Sequence, residues 1–183
     1  MRYLILSDIH GSLPPLRQVL SFYQRGQYDL LLLLGDLLNY GPRNGLPEGL
    51  DAMGVAEALR EVASDVVAVR GNCDSEVDQM LLPFPIMSDF QLVCDGNRRI
   101  VLSHGHLYSP SHMPQGTNAD LFLYGHTHVH VLRPATLTSP AVCNPGSITF
   151  PKKGQPPTFA TLSDGVLSLH LLNGNVIDQL RIY

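Results

Sequence analysis

The sequence predicts an α/β fold, on three observations. Short apolar runs recur, and each ends in a cluster of Gly, Asp, Asn or His. Helical patterns separate the first of these runs. Beyond His128 the texture changes to strand-like segments set apart by turn residues. Continuous short apolar runs suit strands buried on both faces. Their alternation with helices implies right-handed crossovers and a sheet of substantial parallel character.

The first strand, residues 3–6, runs into Ser7-Asp8-Ile9-His10-Gly11. A helix follows around Leu16, Val19, Leu20 and Tyr23, with Pro14 and Pro15 near its start and Gly26 past its end. Residues 30–34 form the second strand, before Gly35-Asp36. Val55, Leu59 and Val62 repeat the helical spacing, and residues 66–69 form a third strand before Arg70-Gly71-Asn72-Cys73-Asp74. A short helix over 76–82 is stopped by Pro83. Residues 100–102 precede Ser103-His104-Gly105-His106, and residues 121–124 precede Gly125-His126-Thr127-His128. Strands are expected at 129–132, 141–143, 159–162, 166–172 and 176–182. Ser163-Asp164-Gly165 and Asn173-Gly174-Asn175 separate the last three, so this half reads as a meander completing a second sheet.

A chain of 183 residues, 44% hydrophobic, is the size of one domain with a sizeable core, and no composition break marks a second. The net charge of −4 argues against a long nucleic-acid duplex as partner, but not against a small nucleotide. Three cysteines give no disulfide framework and suit a reducing compartment. The first apolar stretch meets Asp8 at once, which is unlike a secretory leader, and no run approaches the ~18 residues a membrane span needs. A soluble, cytoplasmic protein with no membrane partner is expected.

Ligands collect beyond the carboxyl ends of strands in open α/β sheets. Here five strand ends carry donors: Asp8 and His10; Asp36; Asn72; His104; His126 and His128. Each alone is an ordinary turn or core residue. Together, in one order, they point to a metal centre. His126 and His128, at alternate positions, can both coordinate only if the backbone bends, which Gly125 permits. A carboxylate can bridge two ions, and Asp36 is the natural candidate. Mixed imidazole and carboxylate donors suit Mn, Fe, Zn or Ni rather than Ca or Mg.

Asp-x-His, Gly-Asp, Gly-Asn-x-Asp, His-Gly-His and Gly-His-Thr-His, in this order over roughly residues 1–150, resemble the calcineurin-like metallophosphoesterase family. The stretches 41–49 and 70–78 look like a bacterial phosphodiesterase branch of it. The resemblance implies a four-layered α/β/β/α sandwich, two mixed β-sheets flanked by helices. It implies two divalent metal ions, Mn²⁺ foremost with Zn²⁺, Fe²⁺ or Ni²⁺ as alternatives. Asp8, His10 and His128 would hold the first; Asn72, His104 and His126 the second; Asp36 would bridge them. The ions would lie ~3.5–4 Å apart and share a hydroxide that attacks phosphorus. The implied catalytic set is Asp36, Asn72, Cys73 and His104, and the implied activity is that of a phosphoric ester hydrolase.

Formal charge mildly favours a small phosphodiester. Two ions, two aspartates and one hydroxide leave a single positive charge, which a diester of about −1 cancels and a monoester of nearly −2 exceeds. Arg43 and His106 are candidate substrate contacts. Cys73 stands where many family members carry a His, although the bacterial branch shares the Cys. A thiol is a weak donor, so either the enzyme needs good leaving groups or draws a proton elsewhere, with His106 a candidate, or Cys73 is a small packing residue. His112, His130 and His170 read as ordinary. Asn144-Pro145-Gly146-Ser147 reads as a turn behind the site, and Cys94 and Cys143 as buried apolar fillers. The competing functions are a non-catalytic scaffold, resembling the retromer subunit that keeps this architecture, and a nuclease of the superfamily. A homo-oligomer is compatible with everything above.

Overall fold

A computed structural model describes residues 1–182. The first sheet begins with three parallel strands, β1 (Tyr3–Leu6), β2 (Leu30–Leu33) and β3 (Val66–Ala68), paired in register from Tyr3↔Leu30 and Leu31↔Val66. The helices between them are α1 (Leu13–Gly26) and α2 (Ala52–Arg60). Pro14 and Pro15 sit in the first turn of α1, where backbone N–H groups have no intrahelical partner. Leu16, Val19, Leu20 and Tyr23 form its buried stripe. Gly26 is the last helical residue, and Gln27 takes the left-handed capping conformation. A third helix, α3 (Glu76–Leu81), starts with a reciprocal capping box between Ser75 and Asp78.

The second sheet has the order β4-β5-β6-β8-β7. Its strands are β4 (Phe90–Asp95), β5 (Arg98–Ser103), β6 (Leu121–Leu123), β7 (Val131–Arg133) and β8 (Ala141–Asn144). Both β5/β6 and β6/β8 are parallel, and antiparallel strands flank them. The sequence suggests a strand-like run around Cys94 but gives it no bounds; it is β4. This edge strand turns Phe90, Leu92 and Cys94 outward, so it never reads as an apolar run, and Cys94 is exposed rather than a buried filler.

The C-terminal meander, β9 (Thr158–Ser163), β10 (Val166–Leu171) and β11 (Val176–Arg181), corrects a second expectation. It extends the first sheet, in the order β11-β10-β9-β1-β2-β3, instead of completing the second. Hairpin turns fix which neighbours pair, so the meander goes wherever β9 goes. β9 docks antiparallel on the edge of β1 that β2 leaves open, with Ile5 opposite Ala160.

Alternation along the strands then builds the layers. Leu4, Leu6, Leu31 and Leu33 face α1 and α2; Tyr3, Ile5, Leu32 and Leu34 face Ile100, Leu102, Leu123 and Cys143 of the second sheet. On the second sheet's far side, Val101, Phe122 and Val142 are covered by Tyr108, Met113 and Ala119 from an irregular segment. That segment supplies the fourth layer, with no helix in it among the described residues. Among the described residues no helix is long and apolar enough to cross a membrane. Leu32, fully buried between the sheets, gives a direct check of this packing. Leu32→Ala should cost ~2–5 kcal/mol in urea unfolding; a loss well under ~1 kcal/mol would contradict the two-sided core.

Candidate metal centre

The strands carry the donors to one edge, and backbone bonds between loops lock them there. Asp8 N–H donates to the Gly35 carbonyl at 3.1 Å, His10 N–H to Asp36 O at 2.9 Å, and Gly125 N–H to His104 O at 2.7 Å. Asp8, His10, Asp36, His126 and His128 all take positive φ, between 51° and 66°. Left-handed backbone costs an L-residue roughly 1–2 kcal/mol. Such a cluster persists only where surrounding contacts enforce it, and it is typical of functional sites.

The bend at the Gly125-His126-Thr127-His128 segment is therefore made by the histidines themselves. Gly125 is required for a different reason: a Cβ there would collide with Ser7 Oγ and approach Asp8 Oδ2 to 2.9 Å. At Gly71 a Cβ would strike the Asp36 carboxylate and backbone nitrogen. These two glycines let neighbouring loops close around the aspartates.

Three imidazoles share one design. His10 Nδ1 lies 2.9 Å from the Asn39 carbonyl, His104 Nδ1 2.6 Å from Leu34 O, and His128 Nδ1 2.7 Å from Phe150 O. A carbonyl can only accept, so each Nδ1 carries the proton and each Nε2 is turned inward. The inward atoms meet at short range. His10 Nε2 and His128 Nε2 are 3.2 Å apart. Asp8 Oδ1 is 3.2 Å from His128 Nε2 and 3.7 Å from His10 Nε2. Asp36 Oδ2 lies between two imidazoles, 3.7 Å from His10 Nε2 and 3.5 Å from His104 Nε2.

This arrangement fits a cation. Two lone pairs facing each other at 3.2 Å repel unless something positive lies by them. Asp8 Oδ1 is buried with no hydrogen-bond partner, an arrangement native interiors avoid unless a water or an ion completes it. Donor atoms lie within 4.8 Å of one another in three sets: Asp8, His10 and His128; Asp8, Asp36 and His104; and His10, Asp36 and Cys73. Asn72 Oδ1 is 3.1 Å from His104 Nε2. His126 stands further out, its ring 5.1 Å from that of His104, while its backbone N–H holds Asp8 Oδ2 at 3.0 Å.

The electrostatics follow from these contacts. Burial would raise the Asp8 and Asp36 pKa values, but His128 and His104, with the Cys73 N–H on Asp36, hold both carboxyls below the usual range. Burial lowers His10 and His126, which keeps those rings neutral; His104 adds to the effect on His126, and Arg43 contributes. Burial also opposes charge on His104, yet the Asp36 and Asp8 carboxylates override it and raise its pKa to about 9. Burial and the neighbouring Asp36 push the Cys73 thiol up to about 12, so it stays protonated.

Above the donors lies a cleft of about 280 Å³ lined by Asp36, Arg43, Asn72, Cys73, His126, His128 and, unexpectedly, Lys152, among others. Arg43 thus stands on the cleft wall. His106 is not among the lining residues; its ring is 5.2 Å from that of His104 and 6.1 Å from that of His126.

Sequence reasoning gave no role to Asp74. Its buried carboxylate accepts backbone N–H bonds from Asp36, Leu37 and Gly71 at 2.7–2.9 Å, tying the Asp36 loop to the Asn72 loop. Burial first, then the Asp36 charge, raises it to about 6 against the pull of those donors. The Asn144–Ser147 turn does act behind the site. Ser147 Oγ donates to Asp8 O at 2.8 Å, and Asn144 Nδ2 to Gly125 O at 2.9 Å.

Residues 1–164 match the calcineurin-like phosphoesterase superfamily domain. The chain belongs to that superfamily. It is 46% identical over 183 residues to "Phosphodiesterase YfcE" of Escherichia coli K12, covering 100% of this chain and 98% of the relative. The solved structure of Yfce, described as a phosphoesterase from E. coli, superposes with a TM-score of 0.95 over the full length of both chains. Wild-type Vps29 of Entamoeba histolytica, solved with zinc, shares the fold at a TM-score of 0.65 and 21% identity, again over the full length of both. The superfamily's fold therefore accommodates both close and distant sequences.

Two outcomes follow from the site. Gly125→Ala should displace the Asp8 side chain, lower the melting temperature and weaken Mn²⁺ binding; an unaltered calorimetric Mn²⁺ titration would contradict the close approach. His104 holds a proton below about 9, so an ion at that ring must displace it. Mn²⁺ affinity should therefore climb with pH, by about tenfold per unit below that value, and level off above it. Titrations in buffers of different ionisation enthalpy should show proton release; affinity that is flat from pH 7 to 8.5 would contradict the assignment.

Proposed function

We propose that the protein is a metal-dependent phosphodiesterase acting on a small substrate. The observation that carries this reading is the convergence of three inward Nε2 atoms on two carboxylates, one with an unpartnered buried oxygen. Full-length similarity to a named phosphodiesterase supports the same class of reaction.

In this reading Asp8, His10 and His128 would hold one divalent ion, and Asn72, His104 and His126 the other. Asp36, whose Oδ2 lies between His10 and His104, would be the ligand common to both. Bound ions would neutralise phosphoryl charge and activate water as the nucleophile. The protein's own contribution is rigidity. The Nδ1 bonds fix each imidazole, Asp74 fixes the loop bearing Asp36, and Cys73 N–H holds Asp36 Oδ1 at 2.7 Å. Arg43 and Lys152 line the cleft from two different loops and attract an anionic substrate.

Proton supply to the leaving group is the weak point. Among the cleft-lining groups, His126 and His128 are assigned to the metals, and Cys73 is a poor donor. His106 stands beside His104 and His126 and is not among the cleft-lining residues. Substrates with good leaving groups should be hydrolysed best.

Chelation should abolish hydrolysis of bis(p-nitrophenyl) phosphate, and Mn²⁺ should restore it; activity indifferent to chelator would overturn the reading. Asp36→Asn should lose nearly all turnover without loss of fold by circular dichroism, and full rate would mean the bridge is misassigned. Cys73→His, supplying an acid, should raise turnover on poor-leaving-group esters by as much as ~10²-fold. No gain on them would favour packing as the role of Cys73.

A further inference from the structure

The protein is acidic, with 12 Lys and Arg against 16 Asp and Glu. It contains only two lysines, and they are adjacent: Lys152 and Lys153. Lys152 lines the same cleft as Arg43, where Asp36 on the floor is the sole carboxylate among the lining residues.

Neither cation is on a loose loop. Lys152 N–H donates to His128 O at 3.0 Å, and the turn it begins closes through Gln155 N–H to Lys152 O at 3.1 Å. Gln155 Oε1 then accepts from His130 N–H at 2.7 Å, while Phe150 O receives the His128 Nδ1 proton. Residues 150–155 are thus pinned three times to the segment carrying His128. On the other wall, Asn39 O receives the His10 Nδ1 proton, Asn39 Oδ1 accepts Gly41 N–H at 2.9 Å, and Asn44 Nδ2 donates to Tyr40 O at 2.8 Å. The backbone of each cation's loop is therefore tied to residues that hold a candidate ligand.

We propose that Arg43 and Lys152 form a second anion subsite, and that the substrate is a phosphodiester one of whose alcohols carries a further phosphate. This rests on the phosphodiesterase reading and names its substrate class. Charge carries the argument. A diester of about −1 already cancels the single positive charge left by two ions, two aspartates and a hydroxide. Arg43 and Lys152 then leave two positive charges unanswered, and a phosphate monoester brings about −1.5 to −2. A guanidinium fork and an ammonium lining one cleft suit such a group. Asp36 and the two histidines apart, the other polar lining residues, among them Asn44 and Thr127, are uncharged. Among the described residues no Phe, Tyr or Trp lines the cleft, so an acyl chain or a base finds little apolar surface there.

The test uses matched ligands in which thymidine is a spectator. Binding of thymidine 3′,5′-bisphosphate and thymidine 5′-monophosphate to the Mn²⁺-loaded protein is measured by calorimetry. The bisphosphate should bind roughly tenfold tighter. Lys152→Gln and Arg43→Gln should each shrink that preference, while Lys153→Gln, outside the cleft lining, should keep it. In turnover, thymidine 5′-(p-nitrophenyl phosphate) bearing a 3′-phosphate should show a lower KM than the same ester without it, and the two cleft variants should narrow that gap. Equal affinity for the two nucleotides, or a preference that survives both cleft variants or falls equally in Lys153→Gln, overturns the subsite. Failure to hydrolyse either ester, with the binding preference intact, would count against the phosphodiesterase reading and not against the subsite.

Discussion

The structure turns on one constraint: two buried carboxylates and three imidazoles must present lone pairs to a common point without collapsing onto each other. Left alone, such groups would rotate apart or take up protons. They are held because each Nδ1 is committed to a backbone carbonyl, of Asn39, Leu34 or Phe150. Those carbonyls belong to strand ends and to loops stitched to strand ends. Ring orientation is thus a property of the sheets and not of the histidines. The raised pKa of His104 follows from the same crowding, since a proton there does in part what a cation would do.

Keeping the donors in place costs backbone strain, offset elsewhere in the fold. Five site residues sit in the left-handed region, and the stabilising contacts lie one layer behind them. Asp74 gathers three N–H groups of the Asp36 and Asn72 loops. Ser147 and Thr149 take up the carbonyls of Asp8 and Ile9 at 2.8 and 2.7 Å. Beneath all of this, fully buried Leu32 and Leu34 clamp the sheets. A rigid floor of this kind lets short loops hold reacting groups within the narrow tolerances catalysis demands.

Much of this was legible in the sequence, for a definite reason. Asp8, Asp36, Asn72 and His104 each follow an apolar run, and runs buried on both faces are hard to mistake, so the donors could be placed at strand ends. The meander from Thr158 was harder. Its turns specify which neighbours pair, but the sheet it joins depends on β1 having an open edge, a long-range fact. The bounds of β4 and the exposure of Cys94 were not legible because exposed Phe90, Leu92 and Cys94 alternate with half-buried neighbours. The left-handed histidines left no trace in the pattern, and Gly125 drew attention for flexibility when its role is closeness to Ser7. Lys152 has no motif around it, and it is the backbone bond of its N–H to His128 O that ties its exposed loop to the site.

The central claim is that one compact donor set holds two ions bridged by Asp36, and electron paramagnetic resonance of the Mn²⁺-loaded protein addresses it most directly. A bridged pair should give the spin-coupled multiline spectrum of two interacting manganese ions, which Asp36→Asn should convert to the six-line signal of an isolated ion. A six-line spectrum in the unaltered protein at full loading, indistinguishable from that variant, would contradict the account.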